Sequence, residues 1–202
     1  MRKIIIDSNN YHPITAAELR AAKAAALLCN GTEGTQYENP ILETQREAAK
    51  SAGIPFGSYL FLHPDSKGSE ADYYLNYARP RRGDIQPIID AEVTNLGLDA
   101  LAGRVHRCSI ALEARGFSPI LYAGYEVWDV CVAAHPKLKK LPLWFAQYPG
   151  QRRYSSALEK LRIRLRGANV VMWQFTDAYA IHGKTYDASV LYGPLSRLLI
   201  TK

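Results

Sequence analysis

Two carboxylates close a short apolar run, Ile85-Gln-Pro-Ile-Ile-Asp90-Ala-Glu92, and their spacing suits acid–base chemistry. The centre of the run, Pro87-Ile88-Ile89, reads as a buried strand, where charge is costly unless something uses it. Residues two apart on a strand face the same side, so Asp90 and Glu92 would share one space, with Cα atoms about 7 Å apart. Two carboxyls that close cannot both ionise freely. One pKa rises, and a carboxyl raised in this way can donate a proton near neutral pH. The alternative is a strand-end pair in which one acid caps the next helix and the other is solvated.

The elements that must position this pair follow from the hydrophobic pattern. Runs rich in β-branched and aromatic residues predict strands at Lys3–Ile6, Ala26–Asn30, Pro55–Leu62, Gln86–Asp90, Pro119–Ala123, Leu143–Gln147 and Val170–Phe175, with a short one near Thr185–Asp187. Helix signals fall between them. Thr15-x-x-Glu18 reads as a capping box, Asn39-Pro40 as a cap and first-turn proline before Ile41–Ala52, and Ser69-x-x-Asp72 as the start of Glu70–Ala78. Further helices are expected over Leu98–Arg115, from Gly124 to Pro136, from Ser156 to Gly167 and at the C-terminus. This alternation argues for a parallel α/β architecture, either a barrel or a doubly wound sheet. No G-x-G-x-x-G follows the first strand and no Walker pattern occurs, which removes the usual evidence for a doubly wound nucleotide fold.

Other acids fall at strand ends as well: Asp7 after strand one, Glu33 after strand two, Asp187 at the last short strand. Polar and aromatic side chains lie at the same level, with Tyr59 and His63 on strand three, Tyr122 on strand five, Trp144 and Tyr148 around strand six, and Trp173 and Gln174 on strand seven. In a parallel barrel the C-terminal strand ends open on one face, which carries the active site. The combination predicts an acidic cleft lined by aromatic rings, although any single acid here could be a helix cap and any ring a packing residue. Such a cleft suits a sugar: rings stack on pyranose faces, and a protonated carboxyl beside carboxylates cleaves a glycosidic bond through an oxocarbenium-like state. His12, His63, His106, His135 and His182 lack metal-ligand spacing, and no G-x-S-x-G elbow or local Cys–His pair is present, so neither metal nor cofactor is expected.

With 202 residues, 48% of them hydrophobic, the chain can bury one core, and no linker or repeat divides it, so one domain is expected over residues 1–202. Lys and Arg number 25 against 19 Asp and Glu, a net charge of +6 that favours an anionic partner such as a nucleic acid, a membrane surface or an acidic cell-wall polymer. The basic residues are scattered (Arg79, Arg81, Arg82; Lys139, Lys140; Arg152, Arg153; Arg162, Arg164, Arg166) and no nucleic-acid-binding motif accompanies them, so nucleic acid is not the expected partner. Cys29, Cys108 and Cys131 are odd in number and sit in apolar settings, as buried free thiols do. The apolar stretch at the N-terminus is three residues long, too short for a signal peptide or a membrane span. The expectation is a protein made in the cytoplasm that does not insert in a membrane and reaches its target by another route.

Taken in order, the motifs resemble glycoside hydrolase family 25, the Chalaropsis-type lysozymes found in bacteria and in many phage endolysins. Ile4-Ile-Ile-Asp7 is similar to the opening strand of that family, Thr32-Glu33-Gly34-Thr35-x-Tyr37 to its T-E-G segment, and Ala52-Gly53-Ile54-Pro55-Phe56-Gly57-Ser58-Tyr59-x-Phe61 to its third strand. Pro87-Ile-Ile-Asp90-Ala-Glu92 resembles the family's D-x-E motif and Pro119-Ile-Leu-Tyr122 its P-x-x-Y strand. Leu141-Pro-Leu-Trp144-Phe-Ala-Gln-Tyr148, Val171-Met-Trp173-Gln174-Phe-Thr176 and Tyr186-Asp187 complete the series over nearly the whole chain.

The resemblance implies an α/β fold, a single-domain irregular (β/α) TIM-like barrel. It also implies hydrolysis of the β-1,4 bond between N-acetylmuramic acid and N-acetylglucosamine in peptidoglycan. Glu92 would be the general acid and Asp7, Asp90 and Asp187 the surrounding catalytic carboxylates, with Glu33, Tyr59, Tyr122, Trp144, Tyr148 and Trp173 shaping the groove. Two positions depart from the family pattern: Asn30-Gly31 stands where a lysine often precedes T-E-G, and Tyr37-Glu38-Asn39-Pro40 has Asn where the family has Asp. The loop Asn9-Asn10-Tyr11-His12 also lacks the usual glycine. The reading is a phage muramidase acting on the wall, with a non-catalytic glycan-binding barrel or phage structural component as the alternative.

Overall fold

Five strands carry an inward apolar residue (Ile5, Leu28, Ile88, Ile120 and Met172), and closing these on one another makes a barrel. A computed structural model describes residues 3–92, 95, 97–148, 165 and 167–201. Its strands are β1 (Ile4–Ser8), β2 (Ala26–Glu33), β3 (Tyr37–Glu38), β4 (Phe56–Phe61), β5 (Ile88–Asp90), β6 (Ile120–Ala123), β7 (Pro142–Ala146), β8 (Asn169–Ile181) and β9 (Lys184–Leu191). Strands β1, β2 and β4 to β8 pair in parallel and in chain order. Strand β9 runs antiparallel between β8 and β1, and the β1–β2 pairing closes the ring. β3 is a two-residue strand on the edge of β2.

The helices α1 (Ala16–Ala21), α2 (Leu42–Ala52), α3 (Glu70–Ala78), α4 (Leu98–Ala114) and α5 (Tyr125–Ala134) lie outside the barrel. Local chemistry sets their ends. Thr15 and Glu18 form a reciprocal capping box on α1, Ser69 Oγ accepts from Asp72 N–H at the start of α3, and Gly53 ends α2 at φ 72°. Two apolar cores result. Ile5, Leu28, Ile88, Ile120, Met172 and Leu191 fill the barrel interior, while Leu27, Leu60, Ile89, Leu121 and Trp173 face the helices. Among the described residues no helix is long and apolar enough to cross a membrane.

Several expectations need correction. The last strand is neither short nor parallel: β8 and β9 form a long hairpin turned at His182-Gly183, because both strands keep pairing beyond the barrel, through Tyr179–Tyr186 to Ile181–Lys184. The C-terminus forms a 3-10 turn at Leu195–Leu198 in place of a helix, and Ile85 bridges to Leu199 there. Asn39 does not cap α2. Its Oδ1 accepts from Ile41 N–H and its Nδ2 donates to the Asn30 carbonyl, so Ile41 becomes the cap residue. The helix expected from Ser156 to Gly167 and the arginines at 152, 153, 162, 164 and 166 lie outside the described residues.

Candidate active site

Strand periodicity builds the site. Two residues beyond the inward apolar layer, five strands turn a polar side chain to the same interior: Asp7 after Ile5, Asn30 after Leu28, Asp90 after Ile88, Tyr122 after Ile120 and Gln174 after Met172. Strand β9 comes from the opposite direction and delivers Asp187 in register with Asp7. These residues open into a cleft of about 250 Å³ at the strands' C-terminal end, which Asn9, Asn10, Tyr11, Glu33, Tyr59, Glu92 and Tyr148 also line.

The carboxylates crowd one another. Desolvation raises the Asp7 pKa well above its ordinary value, the Asp187 charge adds to the rise, and a hydrogen bond from Tyr59 opposes it. Asp90 is almost fully buried and is raised by desolvation, then by Glu92, Asp7 and Glu33. Glu92 stands exposed at the lip, yet the surrounding protein raises its pKa through partial desolvation; the neighbouring Tyr122 hydroxyl opposes the rise and the Asp187 charge adds to it. Exposure limits that rise, but its direction keeps a proton on Glu92 longer than in water. Asp187 is raised by desolvation and by Asp177, with His12 acting the other way. Oδ1 of Asp7 and Oδ1 of Asp90 are buried without a hydrogen-bond partner among the described residues, so both are left to whatever enters the cleft.

Polar side chains fix the orientation of these acids. Tyr122 donates to Gln174 Oε1 at 2.6 Å and Tyr148 to the same oxygen at 3.0 Å, while Gln174 Nε2 donates to Asp187 Oδ2 at 3.3 Å. Trp144 lies beneath, its ring 4.5 Å from that of Tyr122 and its Nε1 donating to Ser189 Oγ at 2.9 Å. Buried to 1% exposure, Trp144 forms the floor of the cleft, whereas Tyr148 and Tyr11, 50% and 80% exposed, offer open rings at its edge.

Asp7, Asp90, Glu92, Asp187, Glu33, Tyr59, Tyr122, Trp144 and Tyr148 thus meet in one cleft. Trp173 does not join them. It sits between the inward Met172 and Gln174, so its ring points out into the helix-facing core and its Nε1 donates to the Gln147 carbonyl. His63 lies beyond the end of β4, away from the cleft. The sequence placed Gln174 at the level of the cleft but missed Asn30, Asn9, Asn10, Tyr11 and Phe61. Strand parity from Met172 turns Gln174 inward, but Asn30 and Glu33 are three residues apart and parity sends them to opposite faces. They share the cleft because β2 bulges: Asn30 pairs with Tyr59 and Thr32 with Leu60, which leaves Gly31 as the extra residue. The two departures from the family pattern meet at this bulge, where Asn39 Nδ2 donates to the Asn30 carbonyl at 2.8 Å.

A closed α/β barrel that gathers mutually repelling carboxyls and aromatic rings at its open end has the constitution of a glycoside hydrolase. The profile of the glycosyl hydrolases family 25 matches residues 8–184, and the chain belongs to that family. It is 27% identical to the N,O-diacetylmuramidase of Chalaropsis sp. over 197 residues, 88% of this chain and 89% of that one. The muramidase of Trichobolus zukalii superposes with a TM-score of 0.80 at 24% identity, covering 97% of this chain and 96% of that one. The catalytic domain of endolysin ply40 from bacteriophage P40 of Listeria monocytogenes does so at 0.70 and 17%, covering 98% and 97%.

Proposed function

We propose that the protein is a peptidoglycan muramidase that hydrolyses the β-1,4 bond between N-acetylmuramic acid and N-acetylglucosamine in bacterial walls, and that it serves as a phage lysin. The observation that carries this reading is the convergence of Asp7, Asp90, Glu92 and Asp187, all raised in pKa, in one cleft. Glu92, at the lip and able to keep its proton, gives it to the departing sugar oxygen. Asp90, Asp7 and Asp187 supply negative charge beneath the sugar ring as the oxocarbenium character develops. The peptidoglycan strand is the partner, and the net charge of +6 draws the protein to walls rich in anionic polymer. The whole of residues 1–202 acts as one catalytic domain.

Mass analysis of digested walls tests the reading: a muramidase releases fragments with muramic acid at the new reducing end, whereas a glucosaminidase or an amidase gives different products. Glu92→Gln is expected to lower kcat by about 10²–10⁴-fold with the fold unchanged by circular dichroism. Near-full activity in that variant would remove Glu92 from the role of acid.

A further inference from the structure

The buried acceptors of the cleft include one that the reaction does not use. Asn30 is only 6% exposed and its Oδ1 has no hydrogen-bond donor among the described residues, while its Nδ2 reaches Glu33 Oε1 at 3.4 Å, close to the limit for such a bond. The amide is held in place from behind. Asn39 Nδ2 donates to the Asn30 carbonyl at 2.8 Å, Asn39 N–H donates to the Gly31 carbonyl at 3.0 Å, and the Gly31 bulge turns Asn30 and Glu33 to the same side. A fixed amide oxygen and a carboxylate therefore face the same part of the cleft, with Asp90 and Tyr59 next to them. Among the described residues lining the cleft there is no Lys, Arg or His. This corner offers acceptors and negative charge, so its ligand must bring donors and does best with a positive charge.

Resting on the muramidase reading, we infer that the Asn30–Glu33 corner receives the nitrogen-bearing substituent of an amino sugar. It takes a free ammonium as readily as an acetamido group, so the enzyme also cleaves wall glycan whose glucosamine residues lack their acetyl groups. An acetamido N–H brings a single donor, which Asn30 Oδ1 can accept. An ammonium brings three donors and a charge, enough to satisfy Asn30 Oδ1 and pair with the Glu33 carboxylate together. A lysine in place of Asn30 would set an ammonium in the corner and repel a second one.

The test compares kcat/KM on one preparation of de-N-acetylated wall glycan and on the same preparation after chemical re-N-acetylation, near pH 6. Wild type is expected to show a free-amine to acetylated ratio of about one or above. Asn30→Lys should lower that ratio by about tenfold or more through like-charge repulsion. Glu33→Gln, at a partly exposed residue where folding is not at stake, should lower it in the same direction. A wild-type ratio below about one-tenth, or a ratio that neither variant moves, overturns the inference while cleavage of the re-acetylated glycan leaves the muramidase reading standing. Cleavage of neither glycan by wild type ends both.

Discussion

Gln174 Oε1 accepts from both Tyr122 and Tyr148, which leaves Nε2 turned to Asp187. The amide thereby converts two phenol donors into one donor aimed at a carboxylate, and it holds Asp187 as an acceptor although desolvation and Asp177 raise its pKa. Gln174→Leu keeps the volume and removes all three hydrogen bonds. It is expected to lower kcat by about 10²-fold, as misplacement of a reacting group does, while KM changes less. Steady-state kinetics on a soluble glycan would check this, and a fall in kcat/KM due wholly to KM would make Gln174 a binding group instead. Gln174 and Trp173 are neighbours with opposite fates. Both stand in the same motif, and their places follow from strand parity alone, which is why the motif by itself put the tryptophan in the groove.

At the scale of elements, the bulge in β2 and the reversal of β9 make the site, and neither was legible in the sequence. The apolar runs, the Thr15 and Ser69 caps and the acids at strand ends showed through because each is a local signal with a fixed period or spacing. The direction of β9 depends on a pairing with β1, more than 170 positions earlier in the chain (Ile4 with Val190), and no local pattern records it. The bulge depends on Gly31 for a reason of space. A Cβ there would lie 3.0 Å from the Tyr59 carbonyl oxygen and 3.1 Å from the buried Tyr74 ring, whose hydroxyl is tied to Ser58. Neither neighbour can withdraw easily. Gly31→Val should therefore cost about 1–3 kcal/mol, the range for overpacking a tight interior, and should lower activity further by moving Asn30 and Glu33. Urea unfolding measures the first effect and wall clearance the second; unchanged values in both would mean that β2 tolerates a side chain at its bulge.

For the molecule as a whole, the cleft is a place where folding is worked against. A chain of net charge +6 concentrates Asp7, Asp90, Glu92 and Asp187 in one space and raises the pKa of each, with burial the largest cause. The unfolded chain releases those protons near the ordinary aspartate value, about 3.9, while the folded protein holds them to higher pH. Between the two values the native state binds more protons than the unfolded state, so stability is greatest below the window and falls as pH rises through it. Asp90 gives the cleanest case, because it is almost fully buried and acquires negative neighbours in Glu92, Asp7 and Glu33. Asp90→Asn removes the charge at nearly constant shape, so it should abolish activity and yet raise the melting temperature at neutral pH by several degrees, at about 2–4 °C per kcal/mol for a protein of this length. The gain should shrink on acidification and be nearly gone by pH 4, where wild-type Asp90 is protonated in the folded state and about half protonated in the unfolded one. Melting curves of the two proteins from pH 4 to 8 provide the check: a variant less stable than wild type at neutral pH would mean that the Asp90 carboxylate is satisfied in the fold, and that the cleft stores none of the electrostatic cost assigned to it.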